Sequence, residues 1–337
     1  MSKRIGIVGG SGYIGYSLAR YLSQKFEVVI LDVKPPKALN GLGFRKCDVR
    51  KYENVKKALK RMSIVIHAAI IQIPLINEQK RLGYEVNVAG TQNVCRAVEE
   101  NQKVKGMILA GSWHTIGERG IVGLVDEEFG FRPDKVEERA RIYALSKMAQ
   151  ESIVRFYDEM SERIYGIIRM GTVLGEDMPR GTAANLFIER GIKGEPITPF
   201  RHSMHRPMLY VDINDICKAY EAYIVKILSG NCKKSGNSLA HIVNVYYPEP
   251  ITVLRLAEIV KSVIIACSHG RIKPQIEILD SGLPLLFTEE DVHNIKVDTS
   301  KAVNYLNLEK LVAPQESINR IVRLRLSDIE QIRNNRK

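Results

Sequence analysis

The run Arg4-Ile5-Gly6-Ile7-Val8-Gly9-Gly10-Ser11-Gly12-Tyr13-Ile14-Gly15 decides the fold of this chain. A short apolar strand pattern enters glycines spaced GxxGxxG, and helical spacing follows at once from Tyr13 to Gln24. Glycines let the backbone turn sharply and approach a pyrophosphate, and the free N–H groups and dipole at the helix start favour an anion there. A glycine-rich loop alone is a weak signal. Between a predicted strand and a predicted helix of a βαβ unit it gains its meaning. The next strand, 27–33, carries Asp32 near its end, where a carboxylate binds both ribose hydroxyls and repels a 2′-phosphate. The expected cofactor is therefore NAD, held by Gly9, Gly12, Tyr13, Ile14, Gly15 and Asp32, although Lys34 nearby would suit NADP.

Outward from this run, short apolar stretches alternate with longer amphipathic ones. Strands are expected at 44–48, 64–68, 105–110 and 165–169, and helices at 52–60, 84–101 and 142–160. The strands are apolar on both faces, as parallel strands covered by helices are. The expected fold class is α/β, a Rossmann-type doubly wound parallel sheet with a smaller C-terminal α/β substrate lobe. After Gly171 the rhythm breaks; a helix is expected around 184–191, a strand and helix at 208–211 and 213–228, a surface loop at 229–238 and a strand at 242–245. Thr252 is positioned as the N-cap of a helix over 252–265. The expected division is a cofactor-binding domain at 1–171 with 207–246 returning to it, a substrate lobe from 172–206 and 247–330, and a frayed tail at 331–337.

The chain has 337 residues, 45% of them hydrophobic and 26% charged, which suits a folded globular protein and not a disordered one. The first apolar run meets glycines too early for a signal segment, and no later run reaches the length of a membrane span. A soluble cytoplasmic protein without membrane contact is expected. Fifty basic against 38 acidic residues give a net charge of +12. The Lys and Arg are spread along the chain without long blocks, so a solvated basic surface is expected and not a nucleic-acid partner. Five cysteines, at 47, 95, 217, 232 and 267, form no CxxC pair and suggest reduced thiols. No cluster has metal-ligand spacing, so no metal is expected.

Chemistry is expected at Tyr143-Ala144-Leu145-Ser146-Lys147. Residues four apart share a helix face, so the phenol and ammonium project toward one point, and a nearby cation lowers a phenol pKa toward that of a working base. Ser112 lies just past the fifth strand, at the edge of the sheet where ligands bind, and its hydroxyl can hold a substrate oxygen beside Tyr143. His114 and Trp113 adjoin it; Trp113 reads equally as a stacking platform or as core.

Together these motifs resemble the extended short-chain dehydrogenase/reductases, the NAD-dependent sugar epimerase/dehydratase family. Gly9, Gly12 and Gly15 fit its glycine motif, Cys47-Asp48-Val49 its adenine-contacting segment, and His67-Ala68-Ala69 its cofactor-lining turn. Asn87-Val88-Ala89-Gly90-Thr91 fits its NVxGT helix, and Ser112, Tyr143 and Lys147 fit its catalytic trio. Arg206 to Asp212, Asn244-Val245 with Thr252-Val253-Leu254, and Val297 to Ala302 resemble three later family segments. The resemblance implies that Asp48, Val49, His67, Ala68, Ala69, Asn87, Tyr143 and Lys147 also contact NAD. It implies that Trp113, His114, Thr172, Asn185 and Arg206 face a sugar or nucleotide-sugar substrate, with Arg206 on a diphosphate. It further implies a homodimer through helices 87–100 and 142–160, with Ala144 or Met148 near the twofold.

Departures from the family narrow the reading. Ser112-Trp113-His114 replaces the Thr-Asp-Glu of sugar dehydratases, so dehydratase chemistry is not expected. His114-Thr115-Ile116-Gly117 and Arg169-Met170-Gly171-Thr172 are similar to segments of uronate dehydrogenases. Gly175-Glu176-Asp177 and Asn185-Leu186 are similar to nucleotide-sugar enzymes, whereas a second diphosphate Arg is missing from 278–295. The expected function is NAD-dependent oxidoreduction at a sugar carbinol, first as a nucleotide-sugar epimerase with Tyr143 as base. The alternative is a uronate-like sugar dehydrogenase, and the third reading a non-catalytic NAD-binding sensor or scaffold.

Overall fold

The computed structural model describes residues 3–334. In chain order the first part runs β1 (Arg4–Val8), α1 (Tyr13–Leu22), β2 (Glu27–Asp32), β3 (Gly43–Lys46), α2 (Tyr52–Ala58), β4 (Ile64–His67), α3 (Leu75–Glu78) and α4 (Lys80–Gly83). A π-helical turn (Tyr84–Ala89) leads into α5 (Gly90–Glu99), then β5 (Gly106–Ser112), β6 (Gly123–Val125), α6 (Glu138–Met160) and β7 (Ile164–Met170). The second part runs β8 (Thr172–Leu174), α7 (Ala183–Ile192), β9 (Pro207–Met208), β10 (Tyr210–Asp212), α8 (Ile213–Leu228) and β11 (Ile242–Val245). It ends with β12 (Ile251–Thr252), α9 (Val253–Cys267), β13 (Ile295–Val297), α10 (Ser300–Leu306) and α11 (Pro314–Asn334).

Seven strands form one sheet in the order β11-β7-β5-β4-β1-β2-β3, and every pairing in it is parallel. This is the doubly wound arrangement. The order reverses between β1 and β4, and a ligand crevice opens at the carboxyl ends of the strands on either side of such a switch. The glycine loop leaves β1 there and Ala68 and Ala69 leave β4 there. Val8 pairs with Leu31 on one side and His67 on the other, which fixes these turns at one height. Beyond the sheet, β8 pairs with β10 and β9 with β12, and α9 packs against α7 and α11. The parallel pair β6 and β13 ties the middle of the chain to its last third.

The expected helix over 84–101 begins as a π turn. Thr91 Oγ1 donates to the Asn87 carbonyl at 2.7 Å, the side-chain back-bond that distorts a helical ladder. The expected helix over 142–160 starts earlier, at Glu138, whose carboxylate suits a helix N-terminus. Ala144 and Met148, expected beside a twofold, face inward with Val136 and Ala140. Successive helical residues are about 100° apart, so the neighbouring register carries the outward face. There Leu145, Phe156 and Met160 are 46%, 69% and 57% exposed. Of the tail read as frayed, 331–334 continue α11, and 335–337 lie outside the described residues. Among the described residues no helix is long and apolar enough to cross a membrane, and no group of three or more His, Cys, Asp or Glu could hold a metal ion.

Candidate active site

A cleft of about 620 Å³ lies over the switch point, a size that suits a cofactor. Gly9, Gly12, Tyr13, Ile14, Gly15 and Asp32 line it, with Asp48, Val49, Ala68, Ala69, Tyr143 and Lys147. The glycines are required by space. Gly9 has φ +79°, and a Cβ on it would stand 2.4 Å from the Ala69 nitrogen; one on Gly15 would stand 2.3 Å from the Gly9 carbonyl oxygen. At Gly12 the nearest atom to a Cβ is the Gly9 oxygen at 3.4 Å, so this face of the loop is open. Asp32 is anchored, accepting from Ser11 N at 3.0 Å on Oδ2 and from Val33 N at 2.7 Å on Oδ1. The Asp48 carboxylate takes Arg50 at 2.8 Å, which holds it below the usual carboxylate range. Glycine cradle, anchored carboxylate and apolar wall fit a dinucleotide.

Tyr13 lines the cleft, and its phenol is turned to Gly175. That hydroxyl is buried without a hydrogen-bond partner, and a Cβ at Gly175 would meet it at 2.2 Å. His67 and Asn87, both fully buried, stand one layer behind the cleft and do not line it. His67 Nε2 lies 2.8 Å from Thr91 Oγ1, and burial, with the Lys147 charge, pushes its pKa down to about 3. Asn87 Oδ1 accepts from Ile71 N at 2.7 Å and its Nδ2 donates to Ser146 Oγ at 2.9 Å. Asn87 thereby holds the cleft-lining turn after β4 against α6.

Ser112 ends β5, and Tyr143 and Lys147 stand on consecutive turns of α6. Lys147 is 5% exposed; its Nζ donates to the Ala110 carbonyl at 2.7 Å. Burial pushes it down to about 7, against the pull of Glu151. Burial pushes the Tyr143 phenol up to about 12, and a hydrogen bond with Ser112 draws it the other way. Ser112 is the group that opposes this rise. Beneath the helix, Arg169 forks onto Glu151 at 2.7 Å and donates to the Glu127 carbonyl at 3.0 Å, all buried. Glu127 in turn accepts from Asn244 N on β11. This ties the helix that carries Tyr143 to β7 and β11.

The substrate-side residues separate into two sets. Trp113 is 1% exposed and donates to Thr172 Oγ1 at 3.2 Å. It is core in this structure and offers no open stacking face, and Thr172 is its partner. Asn185 is buried at the start of α7 and accepts from Arg325 on α11. His114 Nδ1 lies 3.2 Å from Ser112 Oγ, with its ring edge-on to Tyr143 at a centroid distance of 5.6 Å. Arg206, expected on a diphosphate, is 8% exposed and bonded to Glu137 Oε1 at 2.8 Å, with Glu118 Oε1 at 3.6 Å. Two buried carboxylates occupy its charge. Sequence reasoning missed both, because a glutamate gives no local sign of which guanidinium it will meet.

The family model of the NAD-dependent epimerase/dehydratase family matches residues 5–237. The chain is 39% identical over 95 residues to the short-chain dehydrogenase/reductase family 42E member 1 of Danio rerio, a match covering 27% of this chain and 24% of that one. It is 27% identical over 225 residues to a putative UDP-glucose 4-epimerase of Methanocaldococcus jannaschii, covering 63% of this chain and 70% of that one. In three dimensions it is similar to Thermus thermophilus UDP-glucose 4-epimerase in complex with NAD. The TM-score is 0.75 at 22% identity, over 96% of this chain and 99% of that one. At that identity the likeness is one of fold.

Proposed function

The chain belongs to the NAD-dependent epimerase/dehydratase family, and from that premise we propose that it works on a sugar carbinol as a nucleotide-sugar epimerase. One observation carries this reading: Tyr143 and Lys147 line the cleft that the glycine loop opens, and Ser112 ends the strand whose Ala110 and Gly111 line it beside them. When bound, NAD supplies the two-electron acceptor for the hydride on the carbinol carbon. Tyr143 takes the hydroxyl proton, Ser112 steadies the oxygen as it becomes a carbonyl, and Lys147 places charge beside them. The backbone at Gly9, Gly12 and Gly15 takes the pyrophosphate and Asp32 the ribose hydroxyls, with Ile14, Asp48, Val49, Ala68 and Ala69 as walls. Residues 1–171 and 207–246 hold the cofactor, and 172–206 with 247–330 shape the sugar side through Thr172 and Asn185, to which His114 is added from the first part.

The test incubates the protein with UDP-glucose and a panel of other sugars under substoichiometric NAD. Sugar inversion without net NADH is the expected result. Stoichiometric NADH with oxidised sugar would replace the epimerase by a sugar dehydrogenase. A specific feature favours that second reading: Arg206 is held by Glu118 and Glu137 and so is not free for a diphosphate. In either case Tyr143→Phe is expected to cost about 10²-fold or more in turnover, the scale of lost acid–base catalysis. We also propose a cytoplasmic homodimer built on the outward face of α5 and α6, which supplies an apolar stripe through Leu145, Phe156 and Met160. Light scattering at micromolar concentration should give twice the chain mass, and Phe156→Glu should halve it.

A further inference from the structure

One buried group of charges lies beside the trio and is not used by the chemistry above. Glu118 follows the 3-10 turn after β5, and its side chain is fully buried. Its Oε2 accepts from Glu137 N at 2.9 Å. Its Oε1 has no hydrogen-bond partner, yet three cationic or imidazole nitrogens stand around it: His114 Nε2 at 3.6 Å, Arg206 Nη1 at 3.6 Å and Arg139 Nη2 at 3.9 Å. A buried carboxylate oxygen left unbonded among donors calls for an explanation. His114 supplies one, because its other nitrogen lies 3.2 Å from Ser112 Oγ and its ring stands edge-on to Tyr143 at a centroid distance of 5.6 Å. Tyr143, Ser112, His114 and Glu118 thus form a line of proton-carrying groups leading from the cleft into the interior.

We propose that Glu118, acting through His114 and Ser112, receives the proton that Tyr143 gives up to become a base, and returns it at the end of the cycle. The inference rests on Tyr143 being the base. In the transfer, the Tyr143 O–H proton passes to Ser112 Oγ while the Ser112 hydroxyl proton passes to His114 Nδ1. The proton on His114 Nε2 passes to Glu118 Oε1. Three bonds to hydrogen break and three form. Tyr143 ends as phenolate and Glu118 as a neutral acid, Ser112 is unchanged, and His114 has exchanged one neutral tautomer for the other. The 3.6 Å gap from His114 to Glu118 and the step from Tyr143 to Ser112 are the ones that must tighten when the site is loaded.

The electrostatics describe the acceptor end of the line. Burial raises Glu118 to about 7, with Arg206 and Arg119 opposing and Glu137 adding to the rise. Its carboxylate therefore accepts a proton readily near neutrality. Burial and Arg206 lower His114 to about 4, with Lys147 adding and Glu137 opposing, so the ring is neutral and carries one N–H. Glu118 is a positioning residue in this scheme, since it touches none of the reacting atoms.

Nitrogen NMR on the full chain with NAD added tests the line without any substrate. His114 is expected as the Nε2–H tautomer, and its ring shifts are expected to follow a titration near pH 7 that vanishes in Glu118→Gln. An Nδ1–H tautomer, or shifts indifferent to Glu118→Gln, would overturn the relay. With UDP-glucose as probe substrate, Glu118→Gln is expected to lower kcat about tenfold with little change in KM. It should also remove its share of the limb near pH 7, the range in which Lys147 titrates as well. His114→Gln, which leaves Glu118, Glu137 and Arg206 in place, should reproduce the loss, and it carries the test if Glu118→Gln does not fold. Full turnover and an unchanged pH profile in these variants, beside an inactive Tyr143→Phe, would sink the relay and leave Tyr143 as the base. A fully active Tyr143→Phe would instead take down the function on which the relay rests.

Discussion

At Gly15 the constraint is volume. A Cβ there would meet the Gly9 oxygen at 2.3 Å and Gly10 Cα at 2.7 Å, both backbone atoms with no rotamer to escape into. Gly15→Ala must move the loop, and calorimetry should show NAD binding weakened by at least about tenfold. At Asp32 the constraint is charge. NAD should bind about tenfold or more tighter than NADP, and Asp32→Ala should narrow that gap; comparable dissociation constants in the wild type would refute the assignment. Both residues are readable in the sequence because their partners lie within one βαβ unit. Glu118 is not, because its meaning depends on Glu137, on Arg206 far along the chain, and on the tautomer of His114. His67 and Asn87 show the same limit. Their place beside the cofactor turn was legible, but which of two adjacent layers a side chain enters is set by packing against Thr91 and Ser146.

Among the elements, α6 does the most, and its two faces have separate tests. The inner face carries Glu151, whose carboxylate is forked by Arg169 from β7 with both groups buried. Removing one member of a buried pair leaves the other charge uncompensated, so Glu151→Ala should cost about 3–5 kcal/mol in urea unfolding. A loss within the range of an exposed pair, about 1 kcal/mol, would show that Arg169 finds another partner. The start of α6 was read four residues late because Glu138, Arg139 and Arg141 hide the apolar rhythm there. A similar masking hid α11, where Ile318, Ile321 and Val322 are fully buried at helical spacing within a mostly polar sequence. The alternating strands and helices of the first 170 residues were legible because the central strands β1, β2, β4, β5 and β7 are buried on both faces; the short pairs β8–β10, β9–β12 and β6–β13 are too brief for any period to show.

For the molecule as a whole, the loop read as a surface feature at 229–238 proves to be fastened. Lys234 Nζ meets Asp158 Oδ1 at 2.8 Å, and the same carboxylate holds His241 Nδ1 at 2.8 Å on its other oxygen. Burial acts to lower His241, but the hydrogen bond to Asp158, with Cys232 and the Lys233 carbonyl, overrides it and raises the imidazole to about 10. A raised folded-state pKa means that the contribution is fully present below the unfolded value near 6.5 and is lost as pH rises through about 10. The difference in unfolding midpoint between the wild type and His241→Gln should therefore be largest below about pH 6.5 and shrink toward pH 10. A difference constant over that range would show that His241 is neutral in the folded protein.

The strand order has a consequence for how the chain is made. β7 is entirely apolar or buried along Ile164–Met170, and one of its two neighbours is β11, which begins at Ile242. During synthesis from the N-terminus, β7 emerges well before the strand that covers its outer side. For that interval a nascent chain presents a naked, apolar strand edge, the surface most prone to pair with another polypeptide. At about 5–20 residues per second, the gap of some seventy residues lasts several seconds. Chains truncated before Ile242 should accordingly be found with chaperones or in aggregates, whereas truncations after Val245 should not share that fate.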